Sequence, residues 1–244
     1  MGDFNESNLR CDLYAMEYLK REGLYEKLVK LREQTFFTGC DPFDYAFLHN
    51  WVKTNKPKCF LEIGTGISTF VIAEAMKTYS VPIHGEKTVL VSVDNNEFWH
   101  KHAIQTNVAN GNKFVQLLHL DIKETFAGYI YGTCYEQLPL HQYDCVFVDG
   151  PNEERVSVDF IFLVNKLEDD HPVTAIVDYR SFVMLVMAPW AGLDYVKRYN
   201  DLYVIGPVTK ARYKTLTENQ ISYVGHNINT IMEKVFPKQE YKFK

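Results

Sequence analysis

Cys59-Phe60-Leu61-Glu62-Ile63-Gly64-Thr65-Gly66-Ile67-Ser68-Thr69 is the stretch that decides how this chain folds. An apolar run closes on an acid, two glycines one residue apart follow, and Ser68-Thr69 opens an amphipathic segment. That order describes a buried parallel strand turning tightly into a helix, with backbone N–H groups left facing a ligand at the turn. Downstream the alternation continues. Residues 59–63 read as a first strand and 68–79 as a helix, 88–93 as a strand and 97–109 as a helix, then 114–119 and 143–148 as strands. A helix over 156–167 leads to a fifth strand over 173–177. Strands that are apolar on nearly every residue and alternate with helices imply a parallel sheet covered on both faces, an α/β fold. Residues 201–207 and 221–224 are strand-like with no good helix between them, and read as a late antiparallel hairpin.

Upstream, residues 8–34 carry Leu9, Leu13, Met16, Leu19, Leu24, Leu28 and Leu31 at helical spacings, with charges on the other face. Asp41-Pro42 then starts a short helix running through Phe47 to Val52, with proline at its first position. The expected division is an N-terminal helical cap over 1–56 and a ligand-binding domain over 57–244. The least regular part, 123–141, contains Gly128, Gly132 and several aromatic and histidine residues, and is expected to be a substrate loop.

The chain has 244 residues, 46% hydrophobic and 23% charged, with a net charge of −5. That suits one globular domain with a small appendage and lacks the basic footprint of a nucleic-acid binder. Aromatic residues make up 14%, an amount that core packing accounts for. The five cysteines are odd in number and none shows Cys-x-x-Cys spacing, so neither a disulfide framework nor a zinc site is expected. The polar, acidic start is no signal peptide. The longest apolar run, 182–190, falls well short of the roughly 20 residues of a membrane span. A cytoplasmic protein without membrane contact is the expectation. A homo-oligomer is compatible with this sequence.

In a doubly wound sheet, ligands bind outside the carboxyl ends of the strands, at the point where strand order reverses. Here all five parallel strands deliver an acid to that edge: Glu62, Asp94, Asp121, Asp149 and Asp178. A single such residue is accounted for by capping or turn chemistry. Five together repel one another, and a cationic ligand carrying hydroxyl and amino donors would relieve that repulsion. Asp94, past the second strand, suits a ribose, whose hydroxyls it can accept. The interval from Gly66 to Asp94 is longer than usual for such a pair, and the polar turn over 80–86 supplies the excess.

At these residues the chain resembles the class I S-adenosylmethionine-dependent methyltransferases. Leu61-Glu62-Ile63-Gly64-Thr65-Gly66-Ile67-Ser68-Thr69 looks like that family's first motif, and Val91-Ser92-Val93-Asp94 like its ribose-binding acidic motif. Leu118-His119-Leu120-Asp121 resembles its adenine-side motif, and Asp144-Cys145-Val146-Phe147-Val148-Asp149-Gly150-Pro151 its fourth-strand motif. The resemblance covers about residues 58 to 180. It implies a doubly wound, mostly parallel, seven-stranded Rossmann-like methyltransferase sheet with helices on both faces and an N-terminal helical extension. It also implies S-adenosylmethionine as cofactor. Glu62, Gly64, Thr65, Gly66 and Ser68 would line the methionine part, Asp94 the ribose, Asn95 and Asp121 with Ile122 the adenine, and Asp149 the sulfonium and the acceptor. Ser68 stands where a dinucleotide-binding turn carries its third glycine. An acidic rim also opposes a pyrophosphate, which argues against NAD or FAD.

The expected activity is methyl transfer to a hydroxyl of a small molecule or glycan, with Asp149 as the leading base; His119, His141 and Tyr179 are weaker candidates. Asp149 and Asp178 end neighbouring strands and are weak candidates for holding a Mg²⁺-type ion. The residue after Asp178 is Tyr179, where catechol-type O-methyltransferases carry Asn, so that pattern is incomplete. Arg155 and Arg180 balance the acids or anchor an anionic acceptor. A methyltransferase-fold scaffold without catalysis, and another Rossmann-like enzyme such as a nucleotide-sugar oxidoreductase, are the competing readings.

Overall fold

The structure, a computed structural model, describes residues 6–34, 40–79, 88–127, 130–151, 156–178, 183–184, 187–188, 191–212 and 236–244. In chain order its strands are β1 (Cys59–Ile63), β2 (Val89–Asp94), β3 (Val115–His119), β4 (Ile122–Ala127), β5 (Ile130–Tyr135), β6 (Cys145–Val148), β7 (Val173–Asp178), β8 (Val196–Tyr199) and β9 (Leu202–Val208). Seven of them form one sheet in the order β3-β2-β1-β6-β7-β9-β8. The first five in that order are mutually parallel, with Leu61 level with Val91 on one side and Val146 on the other. β9 runs antiparallel to both β7 and β8. The chain order reverses between β1 and β6, so the crevice such sheets use for ligands lies above these two strands.

Alternation along the strands divides the core in two. Leu61, Ile63, Val91, Val93, Val146 and Val148 face α6 (Asp159–Val164). Phe60, Leu90, Cys145 and Phe147 face the other layer, made of α1 (Glu6–Arg21), α2 (Tyr25–Glu33), α3 (Pro42–Asn55) and α4 (Ile67–Lys77). Glu62 shares its face with Phe60 and therefore meets α4. The helical pattern over 8–34 resolves into two helices because Gly23 takes φ +69° between them. α3 begins on a reciprocal cap: Asp41 accepts from the Asp44 N–H at 3.0 Å, and the Asp41 N–H donates to the Asp44 carboxylate at 2.8 Å. α5 (Glu97–Ala109) follows β2, capped by Asn96.

Three sequence readings change. The stretch read as an irregular substrate loop over 123–141 is in large part the antiparallel hairpin β4–β5, pairing Ile122 with Tyr135 through Ala127 with Ile130. Only residues 128–129 separate its strands, a length that favours a tight hairpin over an open loop. Gly132 is needed there, since a Cβ on it would lie 2.2 Å from the Val156 carbonyl oxygen. The late hairpin is β8–β9, so the partner of 201–207 precedes it in the chain; 221–224 lies outside the described residues. The helix expected over 156–167 is confined to Asp159–Val164.

Asp159 holds the inserted hairpin to the sheet. Its carboxylate accepts from the Tyr135 N–H at 2.8 Å and the Ser157 hydroxyl at 3.1 Å. Burial pushes its pKa from 3.8 up to about 7, against the pull of those two donors. A carboxyl raised in the folded state stabilises the fold while protonated, and that contribution is lost as pH rises from its unfolded value through about 7. Asp159→Asn keeps an acceptor but cannot ionise. Between about pH 5 and about pH 8 its stability should gain on the parent by on the order of 2 kcal/mol. Parallel pH–stability curves for parent and variant in urea unfolding would refute this.

Residues 236–244 return across the N-terminal helices. The Tyr241 ring lies 4.5 Å from Phe47 and 5.2 Å from Tyr199, and its hydroxyl accepts from the Asn50 side chain at 2.7 Å. Among the described residues no helix is long and apolar enough to cross a membrane.

Candidate functional site

The site is built at the carboxyl ends of β1, β2, β6 and β7. Glu62 is fully buried between β1 and α4. Its Oε2 accepts from the Thr69 hydroxyl at 2.5 Å and the Ser92 hydroxyl at 2.6 Å, while Thr69 Oγ1 also accepts the Gly66 N–H at 3.1 Å. Glu62 Oε1 is equally buried and has no hydrogen-bond partner among the described residues. Burial pushes this carboxyl from 4.5 up to about 7, the hydroxyls of Ser68, Ser92 and Thr69 pull it back, and Asp149 adds to the rise. A buried oxygen without a donor costs about 1–3 kcal/mol, so a bound ammonium or hydroxyl donor at this point would be stabilised.

The turn after β1 interlocks with the turn after β6. Gly64 has φ +98°, and a Cβ on it would lie 2.8 Å from the Asp149 carbonyl carbon and oxygen and the Gly150 nitrogen. A Cβ on Gly150 would lie 2.8 Å from Gly64 Cα. Gly66 differs: its backbone is extended, at φ −179°, and among the described residues a Cβ there would meet only Ser68 Oγ at 3.7 Å. The space above Gly66 is therefore open to a ligand. Ser68 is buried in the first turn of α4.

Asp94, at the end of β2, is 7% exposed. Its Oδ2 accepts the Thr65 N–H at 2.8 Å and the Thr65 hydroxyl at 3.2 Å, and Oδ1 accepts the Asn96 N–H at 2.7 Å. One carboxylate thus ties the glycine-rich turn to the start of α5. Desolvation raises its pKa in spite of these bonds. Asn95 and Asp121 are exposed beside it, and Ile122 is half-buried at the start of β4. His119, at the end of β3, reaches the Asn95 carbonyl at 3.1 Å. His141 is not brought to this edge; it precedes β6, at the opposite end of that strand from Asp149, with its ring 5.5 Å from Tyr143.

Asp149 and Asp178, both half-buried, do come together, and the N-terminal segment adds a residue the sequence reading missed. Cys40, just before α3, is buried, and its thiol donates to Asp149 Oδ2 at 4.0 Å. One ligand atom from each of Cys40, Asp149 and Asp178 lies within 4.8 Å of the others, the one such group among the described residues. Burial drives the Cys40 thiol well above its usual range, with Asp149, Asp178, Asp44 and Glu62 adding to the rise, so sulfur is present as a neutral S–H. The sequence carried one signal for it: Cys40 directly precedes Asp41-Pro42, the start of a helix that packs on this layer. Thr69 and Ser92, which orient Glu62, were visible only as motif neighbours. Arg155, Tyr179 and Arg180 lie outside the described residues.

Strand order and strand-edge acids together define a Rossmann-like methyltransferase fold. Residues 61–175 match the family model described as a methyltransferase domain. No curated protein matches the chain. Among solved structures, it is similar to the SAH-bound methyltransferase PaMTH1 of Podospora anserina, at 14% identity over 78% of each chain with a TM-score of 0.49. A methyltransferase from Geobacter sulfurreducens is 15% identical, over 74% of this chain and 85% of that one, with a TM-score of 0.47. The O-methyltransferase from Bacillus cereus in complex with SAH is 18% identical over 70% of each chain, with a TM-score of 0.42. The matched segment runs from within β1 to within β7.

Proposed function

We propose that the chain transfers the methyl group of S-adenosylmethionine to a hydroxyl of a small-molecule or glycan acceptor, with Asp149 receiving the hydroxyl proton. The observation that carries the reading is the fully buried Glu62 carboxylate, one oxygen of which has no donor among the described residues, beside the pair Asp149 and Asp178. A site of this charge favours a cationic donor over a pyrophosphate. When bound, the cofactor supplies an electrophilic methyl on a sulfonium, whose carbon–sulfur bond breaks as the oxygen–carbon bond forms. The protein's part is positioning and proton removal. Glu62 holds the amino end of the methionine part, held in place itself by Thr69 and Ser92. Gly66 leaves room for the cofactor, Asp94 takes the ribose hydroxyls, and Asn95, Asp121 and Ile122 flank the adenine. Cys40, as a neutral donor to Asp149 Oδ2, orients that carboxylate so that its other oxygen serves as the acceptor of the proton.

The donors around Asp149 do not fit a Mg²⁺ ion. Magnesium takes oxygen ligands in a near-octahedral set, whereas the group here is two carboxylates and one buried neutral thiol, a soft ligand. No step is assigned to a metal.

Calorimetric titration with S-adenosylmethionine and its demethylated product tests the cofactor; absence of heat with either at millimolar concentration would overturn it. Asp149→Asn should leave the affinity for the demethylated product within about twofold while lowering turnover by about 10²-fold or more. Unchanged turnover would remove Asp149 as base.

A further inference from the structure

The edge of the sheet opposite the acidic rim carries a cavity of about 610 Å³. It lies where β1, β6 and β7 begin, beneath the C-terminal end of α3. Strands of four to six residues separate it from the candidate active site, a distance of roughly 15–20 Å at about 3.3 Å per residue. Lys56, Lys58, Lys197, Lys242 and Lys244 line it. Three separate parts of the chain bring them together: the turn after α3, the edge strand β8 and the C-terminal segment. In a chain of net charge −5, this is a local reversal of sign.

The described surrounding groups leave the charge of Lys56, Lys197 and Lys242 standing. Asp144 is the single acidic side chain among the described residues lining the cavity, and it is turned onto the backbone N–H groups of Lys58 and Cys59 at 2.7 and 2.8 Å. Asp201, on the nearby β8–β9 turn, is shared between Arg198 and Lys238, each at 3.5 Å. Lys56, Lys197 and Lys242 make no ion pair among the described residues. Concave walls concentrate the field of such a group. Trp51, Tyr199 and Tyr241 supply the apolar part of the wall. The volume falls in the range of pockets that take small molecules.

We propose that this cavity binds a soluble small molecule carrying two or more phosphoryl charges. Lysine ammonium groups are compact point charges suited to phosphate, and several converging on one cavity select for multiple charges. The site is distinct from the methyltransfer site, and its test does not depend on that reading.

The probe is inorganic tripolyphosphate, which lacks any group resembling the cofactor, titrated calorimetrically into the full chain at low ionic strength. The parent should bind it, with affinity falling steeply as salt is raised. The double variant Lys197→Glu/Lys242→Glu, both sites exposed, should bind at least tenfold more weakly with its melting temperature unchanged. Lys113→Glu/Lys123→Glu, which makes the same charge change elsewhere, should keep the parent's affinity. Absence of binding by the parent overturns the proposal, as does equal affinity in the Lys197/Lys242 variant or equal loss in the Lys113/Lys123 control. Retention on vesicles containing phosphatidic acid without binding of tripolyphosphate overturns it as well.

Discussion

Gly64→Ala is expected to lower the melting temperature by about 10 °C or more, while Gly66→Val leaves it within about 2 °C of the parent. Two effects add at Gly64. Its φ of +98° is a conformation that L side chains rarely adopt, costing about 1–3 kcal/mol. The new Cβ would also lie 2.8 Å from three backbone atoms of Asp149 and Gly150, none of which belongs to a side chain that could swing aside. Relief requires β1 and β6 to separate where the Asp149 N–H meets the Ile63 carbonyl at 2.8 Å, or the turn to leave β2, where the Gly64 N–H meets the Val93 carbonyl at 2.8 Å. A total of about 3–5 kcal/mol, at roughly 2–4 °C per kcal/mol for a chain of this length, gives the expected fall. At Gly66 the extended backbone accepts any residue and, among the described residues, only Ser68 Oγ, at 3.7 Å, is in reach. The valine would instead occupy the space assigned to the cofactor, and affinity for the demethylated cofactor should fall at least tenfold. Thermal unfolding of both variants with calorimetry on Gly66→Val checks the pair; equal melting temperatures for Gly64→Ala and the parent would show that the two turns do not interlock as described.

The contrast between these glycines bears on what could be read before the structure. Both stand in one motif, and the sequence treats them alike; only the packing of β1 against β6 shows that one is there for the backbone and the other for open space. The parallel core was legible because its signal is local. Runs such as Cys59–Ile63 and Cys145–Val148 are apolar on nearly every residue, and each has an acid next to its last residue whose position at the ligand edge follows from strand direction. The β4–β5 hairpin was obscured because its burial does not alternate cleanly: Lys123 and Glu124 are both exposed, and four consecutive residues of β5 are buried against the 156–158 segment. Cys40 was illegible for a different reason. Its position beside Asp149 depends on a contact between residues 109 apart in the chain, and no local pattern records which strand end a capping helix will reach. The basic cavity was hidden in the same way, since its lysines are scattered over nearly two hundred residues and look, singly, like an ordinary solvated surface.

Asp94→Ala should abolish measurable cofactor binding, a loss of at least about 10²-fold, because two functions leave with one carboxylate. The first is visible: the Thr65 N–H at 2.8 Å and the Asn96 N–H at 2.7 Å both depend on it, so the glycine-rich turn and the start of α5 lose their common acceptor. The second is the proposed acceptance of the ribose hydroxyls, for which a carboxylate offers lone pairs beyond those three donors. Asp94→Asn separates the two. Asparagine keeps one oxygen for the Thr65 N–H and so preserves much of the turn, but it replaces the other acceptor with an NH₂ group that faces the Asn96 N–H and any ribose hydroxyl as donor against donor. If Asp94 only holds the turn, Asp94→Asn binds a 2′-deoxy analogue of the demethylated cofactor and the ribose form with the same ratio of affinities as the parent. If it takes the ribose, the parent should prefer the ribose form by roughly tenfold, on the order of 1.4 kcal/mol for a hydrogen bond to a charged acceptor, and the variant should lose that preference. This double comparison cancels any general damage to the turn, because such damage weakens both ligands equally. A preference that survives intact in Asp94→Asn would place the ribose elsewhere on the acidic rim, with Asp121, exposed at the neighbouring strand end, the next residue to change.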